Sequence, residues 1–195
     1  MIIQHRINSI ELLQNVPKNY GVEVDLRSSE GDIICSHDPF VETESFYEWI
    51  KSYDHRYLIA NIKSEGIEKQ VLNILLKNKI ENFFFLDVSF PFMFKLREEG
   101  FRNFAYRVSD LEKCNLDTLN MLDCSWIWLD AFKNFPSNEV ANINKAKLKG
   151  TKICLVSPEL HIKRRQDISS KILNEINASN VEYDAVCTKD PSKWQ

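Results

Sequence analysis

What most limits the fold of this chain is a rhythm. Eight short apolar segments, each closing on polar residues, alternate with helix-forming stretches along its 195 residues. The segments span residues 2–5, 21–27, 57–63, 82–89, 103–109, 126–130, 152–157 and 183–188. Helical candidates fill the intervals at residues 9–16, 46–53, 66–79, 91–99, 110–122, 138–149 and 167–178. In the third of these, Val71, Leu72, Leu75 and Leu76 recur at helical spacing, and Gly100 and Gly150 stand where later helices should stop. Alternation of this kind predicts an α/β fold with a parallel sheet. Eight strands predict that the sheet closes as a (β/α)8 TIM barrel, against a doubly wound open sheet as the structural competitor. Such barrels usually take about 250 residues, so this one must be compact, with short loops. One domain over residues 1–195 is expected, because a chain of this length builds one sizeable core.

In a barrel the carboxyl ends of the strands converge on one face, where active sites are built. Here those ends carry Gln4-His5-Arg6, Glu23-Val24-Asp25, Asn61-Ile62-Lys63, Asp87-Val88-Ser89, Arg107-Val108-Ser109, Leu129-Asp130, Ser157-Pro158-Glu159 and Thr188-Lys189-Asp190. Strand alternation sends Val22, Val24 and Leu26 toward the helices, and Glu23, Asp25 and Arg27 toward the barrel axis. Residues two apart on a strand lie about 6.5 Å apart at Cα, so both carboxylates can grip one hard cation through oxygen. An acidic pair neutralised by Arg6, Arg27 or Lys63 is the structural alternative. Asn61 and Lys63 share the inward face of the third segment. The first offers a carbonyl oxygen to a cation, and the second a point charge to a phosphoryl oxygen. Arg107, Asp130 and Glu159 are expected to face a substrate, with Asp87 and Asp130 also spare carboxylates for the metal or its waters.

Two of the chain's four histidines fall beside this acidic pair. His5 ends the first segment. The turn at residues 28–32 brings His37 back toward the second. His55 falls in a helix-to-strand loop and is expected to be solvated, and His161 follows the seventh segment at the rim. The basic run Lys163-Arg164-Arg165 is expected to be a solvated turn. The sequence holds no phosphate-cradling glycine loop, no dinucleotide fingerprint, no serine nucleophile elbow and no zinc spacing, which leaves metal-assisted hydrolysis as the surviving chemistry.

Composition narrows the partners. A formal net charge of -3 and a pI near 5.9 exclude the basic footprint of a nucleic-acid or anionic-membrane binder. No apolar run approaches the ~20 residues that span a bilayer, and the N-terminus lacks the pattern of a signal peptide. The five cysteines are odd in number and lie in apolar settings, so reduced buried thiols and a cytoplasmic location are expected.

The motifs His5-Arg6, Gly21-Val22-Glu23-Val24-Asp25 and His37-Asp38, in that order, resemble those of the glycerophosphodiester phosphodiesterases and the related phosphatidylinositol-specific phospholipases C. Ile62-Lys63, Ser89-Phe90 with Leu96-Arg97, and Cys187-Thr188-Lys189-Asp190-Pro191 extend the resemblance along the chain. It implies a (β/α)8 fold, a divalent cation such as Mg2+ or Ca2+, and cleavage of a small or polymer-linked phosphodiester. By position it makes Glu23, Asp25 and Asn61 the metal ligands, and His5, His37, Arg6 and Lys63 the catalytic set, with His5 as base and His37 as acid. Asn61 stands where the family carries a third metal-binding glutamate, Ile7 where it carries a glycine, and the family's insertion after the second histidine is missing. A non-catalytic phosphate-binding barrel is the competing reading.

Overall fold

Period-two alternation along the strands builds the barrel in two layers. In a computed structural model, which describes residues 1–41, 43–161 and 166–194, the strands are β1 (Ile2–Gln4), β2 (Gly21–Ser29), β3 (Asp32–Cys35), β4 (Tyr57–Ile62), β5 (Phe83–Leu86), β6 (Ala105–Val108), β7 (Trp126–Leu129), β8 (Lys152–Val156) and β9 (Ala185–Thr188). Leu58, Ala60, Phe83, Phe85, Ile127, Leu129, Ile153, Leu155 and Val186 point outward into the main core under the helices. Their neighbours Ile59, Phe84, Leu86, Trp126, Trp128, Cys154, Val156, Ala185 and Cys187 fill the barrel interior. The amino-terminal half of the interior is plugged by aromatic rings. Trp126 packs 4.8 Å from Phe84 between ring centroids, and its Nε1 donates to the Tyr57 hydroxyl at 3.0 Å.

Eight parallel strands run in the order β5-β4-β2-β1-β9-β8-β7-β6, and a parallel bridge between Phe85 and Phe104 draws the two ends together, giving the expected TIM barrel, nearly closed. The helices α1 (Ile10–Gln14), α2 (Phe46–Lys51), α3 (Glu68–Lys77), α4 (Phe90–Glu98), α5 (Leu116–Leu122), α6 (Val140–Leu148) and α7 (Gln166–Ala178) fill the intervals. The ninth strand, β3, lies off the barrel. β2 overshoots the rim and folds back on β3 through Glu30 and Gly31, which take φ of 49° and 91°, the left-handed pair that a two-residue hairpin turn requires. This hairpin delivers His37 to the barrel mouth.

All five cysteines are buried and unbridged. His55 is buried as well, against the solvated position expected for it. Its Nε2 lies 3.1 Å from the Val16 carbonyl and its ring packs on Tyr53, because the loop folds under the end of α1. Among the described residues no helix is long and apolar enough to cross a membrane.

Candidate active site

At the carboxyl ends of the strands lies a cavity of about 250 Å³ whose walls include His5, Arg6, Asp25, His37, Asn61, Lys63, Asp87, Arg107, Asp130 and His161. Its floor is made by the chain just after β1. The backbone of Arg6 turns left-handed, at φ 57°, a conformation costing a non-glycine residue about 1 kcal/mol or more. The turn aims the Arg6 backbone N–H at Glu23 Oε2, 2.6 Å away. Two residues on, the Asn8 amide donates to Asp25 Oδ2 at 2.9 Å, and its Oδ1 accepts the Asp25 backbone N–H at 2.9 Å. Asn8 was missed by sequence reasoning, its only signal being its place directly behind the His5-Arg6 pair.

Glu23 and Asp25 are fully buried and share the inward face of β2, as alternation predicts. The Asn61 amide nitrogen bridges them, donating to Glu23 Oε1 at 2.8 Å and to Asp25 Oδ1 at 3.1 Å. Burial first, and the adjacent Asp25 second, hold the Glu23 carboxyl well above the usual carboxylate range. Lys63 Nζ lies 2.9 Å from Asp87 Oδ2 and 3.6 Å from Asp25 Oδ1, and Arg6 Nε lies 3.8 Å from Asp25 Oδ2. Arg107 spans the cavity wall and pairs with both Asp87 and Asp130. Burial works to raise the Asp87 carboxyl, but the charges of Arg107 and Lys63 outweigh it and hold Asp87 below its ordinary value. Asp87 and Asp130 are therefore paired with cationic side chains of the wall.

Burial, helped by the positive charges of Arg6, Lys189, His161 and Lys63, lowers His5 to about 3, so its imidazole is neutral at physiological pH. Its Nε2 faces Glu23 Oε2 at 3.8 Å. His37 sits on the opposite margin with Nδ1 2.8 Å from Asp38 Oδ1, and Arg27 fixes its backbone by donating to the His37 carbonyl at 3.0 Å. Arg27 thus does not enter the barrel axis as alternation suggests. By that point β2 has left the barrel, and the guanidinium ties the hairpin to the Lys63 carbonyl instead. Glu159 also lies outside the cavity walls. Its carboxylate is taken by the Thr188 hydroxyl at 2.6 Å, the Lys189 backbone N–H at 3.1 Å and the Ser157 hydroxyl. In its place the structure brings in His161, together with Trp128 and Phe132. Residues 163–165 lie outside the described residues.

Among the described residues no three His, Cys, Asp or Glu side chains converge as a metal cage. The two acids and Asn61 nevertheless fit a hard cation by their chemistry. Asn61 Oδ1 is buried without a hydrogen-bond partner, and rotating the amide half a turn would set three oxygens facing one point. The amide N–H satisfies the acids in the arrangement seen.

Fold and site together define a nearly closed (β/α)8 barrel whose strand ends hold an acidic pair, a bridging amide and several cationic and imidazole side chains. Comparison with solved structures sharpens the class. The chain superposes with a TM-score of 0.71 on a glycerophosphodiester phosphodiesterase of Thermotoga maritima, at 16% identity, covering 99% of this chain and 96% of that one. A phosphodiesterase of Oleispira antarctica, solved with the product sn-glycerol-3-phosphate, gives 0.68 at 17% identity, covering 99% and 94%. A glycerophosphodiester phosphodiesterase of Agrobacterium tumefaciens gives 0.63 at 14% identity, covering 97% and 96%. No family model and no curated protein matches the sequence. The chain has the fold of the glycerophosphodiester phosphodiesterases.

Proposed function

We propose that this chain is a phosphoric diester hydrolase acting on a glycerophosphodiester-like or polymer-linked phosphodiester, with Mg2+ or Ca2+ held by Glu23, Asp25 and Asn61. The observation that carries this reading is the bridge at the cavity floor, two fully buried carboxylates joined by one amide beside a neutral imidazole. Buried acids at a cavity floor are costly unless they serve a cation or a proton. When bound, the cation supplies Lewis-acid stabilisation of charge on the phosphoryl oxygens.

The chain's own groups divide the remaining work. Lys63 and Arg107, and Arg6 beside the floor, present positive charge to phosphoryl oxygens and hold the diester in place. His5, kept neutral, accepts the proton of the attacking water or hydroxyl. The departing oxygen needs a proton donor, the role that motif order gives to His37. The apolar faces of Trp128 and Phe132 line the side of the cavity where an organic substituent would lie. Five buried thiols fit a cytoplasmic location.

Hydrolysis of bis(p-nitrophenyl) phosphate and of a glycerophosphodiester by the purified protein with Mg2+, Mn2+ or Ca2+ is the test, with metal titration into wild type and Glu23→Gln by calorimetry. Turnover that requires metal, and metal uptake lost in Glu23→Gln, are expected. Because the Asn61 amide satisfies both acids on its own, a barrel that binds phosphate without cleaving it is the second reading. Phosphate binding with no turnover under any metal would select it.

A further inference from the structure

The end of β8 places an imidazole in the cavity wall that the motif order does not account for. His161 follows the short turn Pro158–Leu160 and directs its ring at Asp130, with Nε2 2.8 Å from Oδ1 and 3.1 Å from Oδ2. Asp130 is 1% exposed, and its carboxylate is itself fixed by the Ala131 backbone N–H at 2.8 Å and by Arg107. Phe132 packs against the ring at 4.9 Å between centroids. Since an ionised carboxylate only accepts, Nε2 carries the hydrogen, and Nδ1 is the nitrogen that can meet a substrate. His37 makes a comparable pair turned toward solvent, because its carboxylate partner Asp38 is 78% exposed. Attraction between an imidazolium and a carboxylate grows as the local dielectric falls, and exposed pairs are weak. A buried, doubly anchored Asp130 therefore holds the ring in one orientation toward the cavity where the exposed Asp38 does not.

We infer that His161, oriented by Asp130, protonates the departing oxygen of the phosphodiester in place of His37. This rests on the phosphodiesterase reading. As the bond from the nucleophile to phosphorus forms, the phosphorus–oxygen bond to the alcohol breaks and its electron pair goes to the departing oxygen. That oxygen takes the proton from His161 Nδ1, while the nucleophile's proton passes to His5. The neutral His161 regains a proton from solvent, to which its side chain is 34% accessible. Asp130 is a positioning residue in this step.

The test is a leaving-group series. Wild type, His161→Ala, His161→Gln, His37→Ala and Asp130→Asn are compared, with Mg2+, on methyl phosphodiesters of p-nitrophenol, phenol and glycerol. The p-nitrophenolate ion departs without a proton, whereas an alkoxide needs one. His161→Ala should lose less than about tenfold in kcat/KM on the p-nitrophenyl ester and about 100-fold or more on the glycerol ester, the range of general acid catalysis. Asp130→Asn should show the same split at smaller size, and His37→Ala an even loss across the series. An even loss in His161→Ala, or a split found in His37→Ala alone, overturns the assignment. If His161→Ala fails to fold, His161→Gln carries the comparison. A wild type inactive on every ester with every metal overturns the phosphodiesterase reading and this inference with it, and an active wild type with even losses overturns this inference alone.

Discussion

Replacing Asn61 by Asp tests how the cavity floor is held together. The amide donates to both buried acids; a hydrogen bond to an ionised group contributes about 1.5–3 kcal/mol, and one to a neutral group, as Glu23 is while protonated, about 0.5–1.5 kcal/mol. Asn61→Asp removes both and sets a third carboxyl against Glu23 and Asp25, which are already fully buried. The lost bonds alone amount to roughly 2–4.5 kcal/mol, a large share of the ~5–15 kcal/mol that stabilises a domain. In chelator the variant should therefore unfold at much lower urea than wild type. With Mg2+ the direction reverses, since three carboxyl groups suit a hard cation better than two and an amide. A metal at a hundred times its Kd adds ~2.7 kcal/mol, so the urea midpoint of the variant should rise more on adding Mg2+ than that of wild type. Introducing Glu23→Gln as well should restore stability in chelator and remove the gain from metal. Equal midpoints for wild type and Asn61→Asp in chelator would show that the amide is not what joins the two acids.

Two further outcomes concern the pH dependence of the floor and the packing at the far end of the barrel. Glu23, raised from an ordinary 4.5 to about 8, contributes stability that is full below pH 4.5 and lost as the pH rises toward 8, while His5, lowered from 6.5 to about 3, contributes stability that is full above pH 6.5 and lost as the pH falls toward 3. The slopes oppose each other between pH 4.5 and 6.5; above 6.5 Glu23 acts alone, so metal-free wild type should lose stability toward pH 8 by at most ~1.4 kcal/mol per unit, and denaturation of Glu23→Gln should show no such fall. At the amino-terminal end of the barrel, a methyl group on Gly21 would meet Ile3 Cγ1 at 2.9 Å and the Tyr57 carbonyl at 3.0 Å, so Gly21→Ala should lower thermal stability by about 1–3 kcal/mol.

The elements that depend on near neighbours in sequence were readable, and those that depend on distant ones were not. Alternation in β2 put Glu23 and Asp25 inward and Val22, Val24 and Leu26 outward, which is how they lie. A strand's period is a local property of its backbone, so it survives without knowledge of the fold. α5 starts at Leu116 and not at residue 110, because the Asp110 carboxylate accepts the backbone N–H groups of Phe132 and Lys133 at 2.8 and 3.1 Å and so caps the next loop. Nothing near Asp110 announces that. Likewise the 28–32 turn was legible, but not the continuation of β2 past the rim that withdraws Arg27 from the axis. Glu159, expected to face a substrate, meets Thr188 instead for the same reason, while His161, two positions on, meets Asp130.

The ion pairs already made within the cavity wall tie the two expected ligands together. A phosphodiester carries one negative charge, and entering alone it would add to a wall where Arg107 is already shared by Asp87 and Asp130, and Lys63 by Asp87 and Asp25. A divalent cation alone would have to displace the Asn61 amide from both carboxylates. Bound together they offset each other's charge, so each should raise the affinity for the other, and by linkage to the same degree. Substitution of Asn61 for a third acid makes that coupling stronger: with less fixed negative charge to hold the metal, more of its binding energy must come from the phosphoryl oxygens of the substrate. Isothermal titration of Mg2+ with and without sn-glycerol-3-phosphate should then show tighter metal binding in its presence, and equal metal affinity in both would refute the coupling.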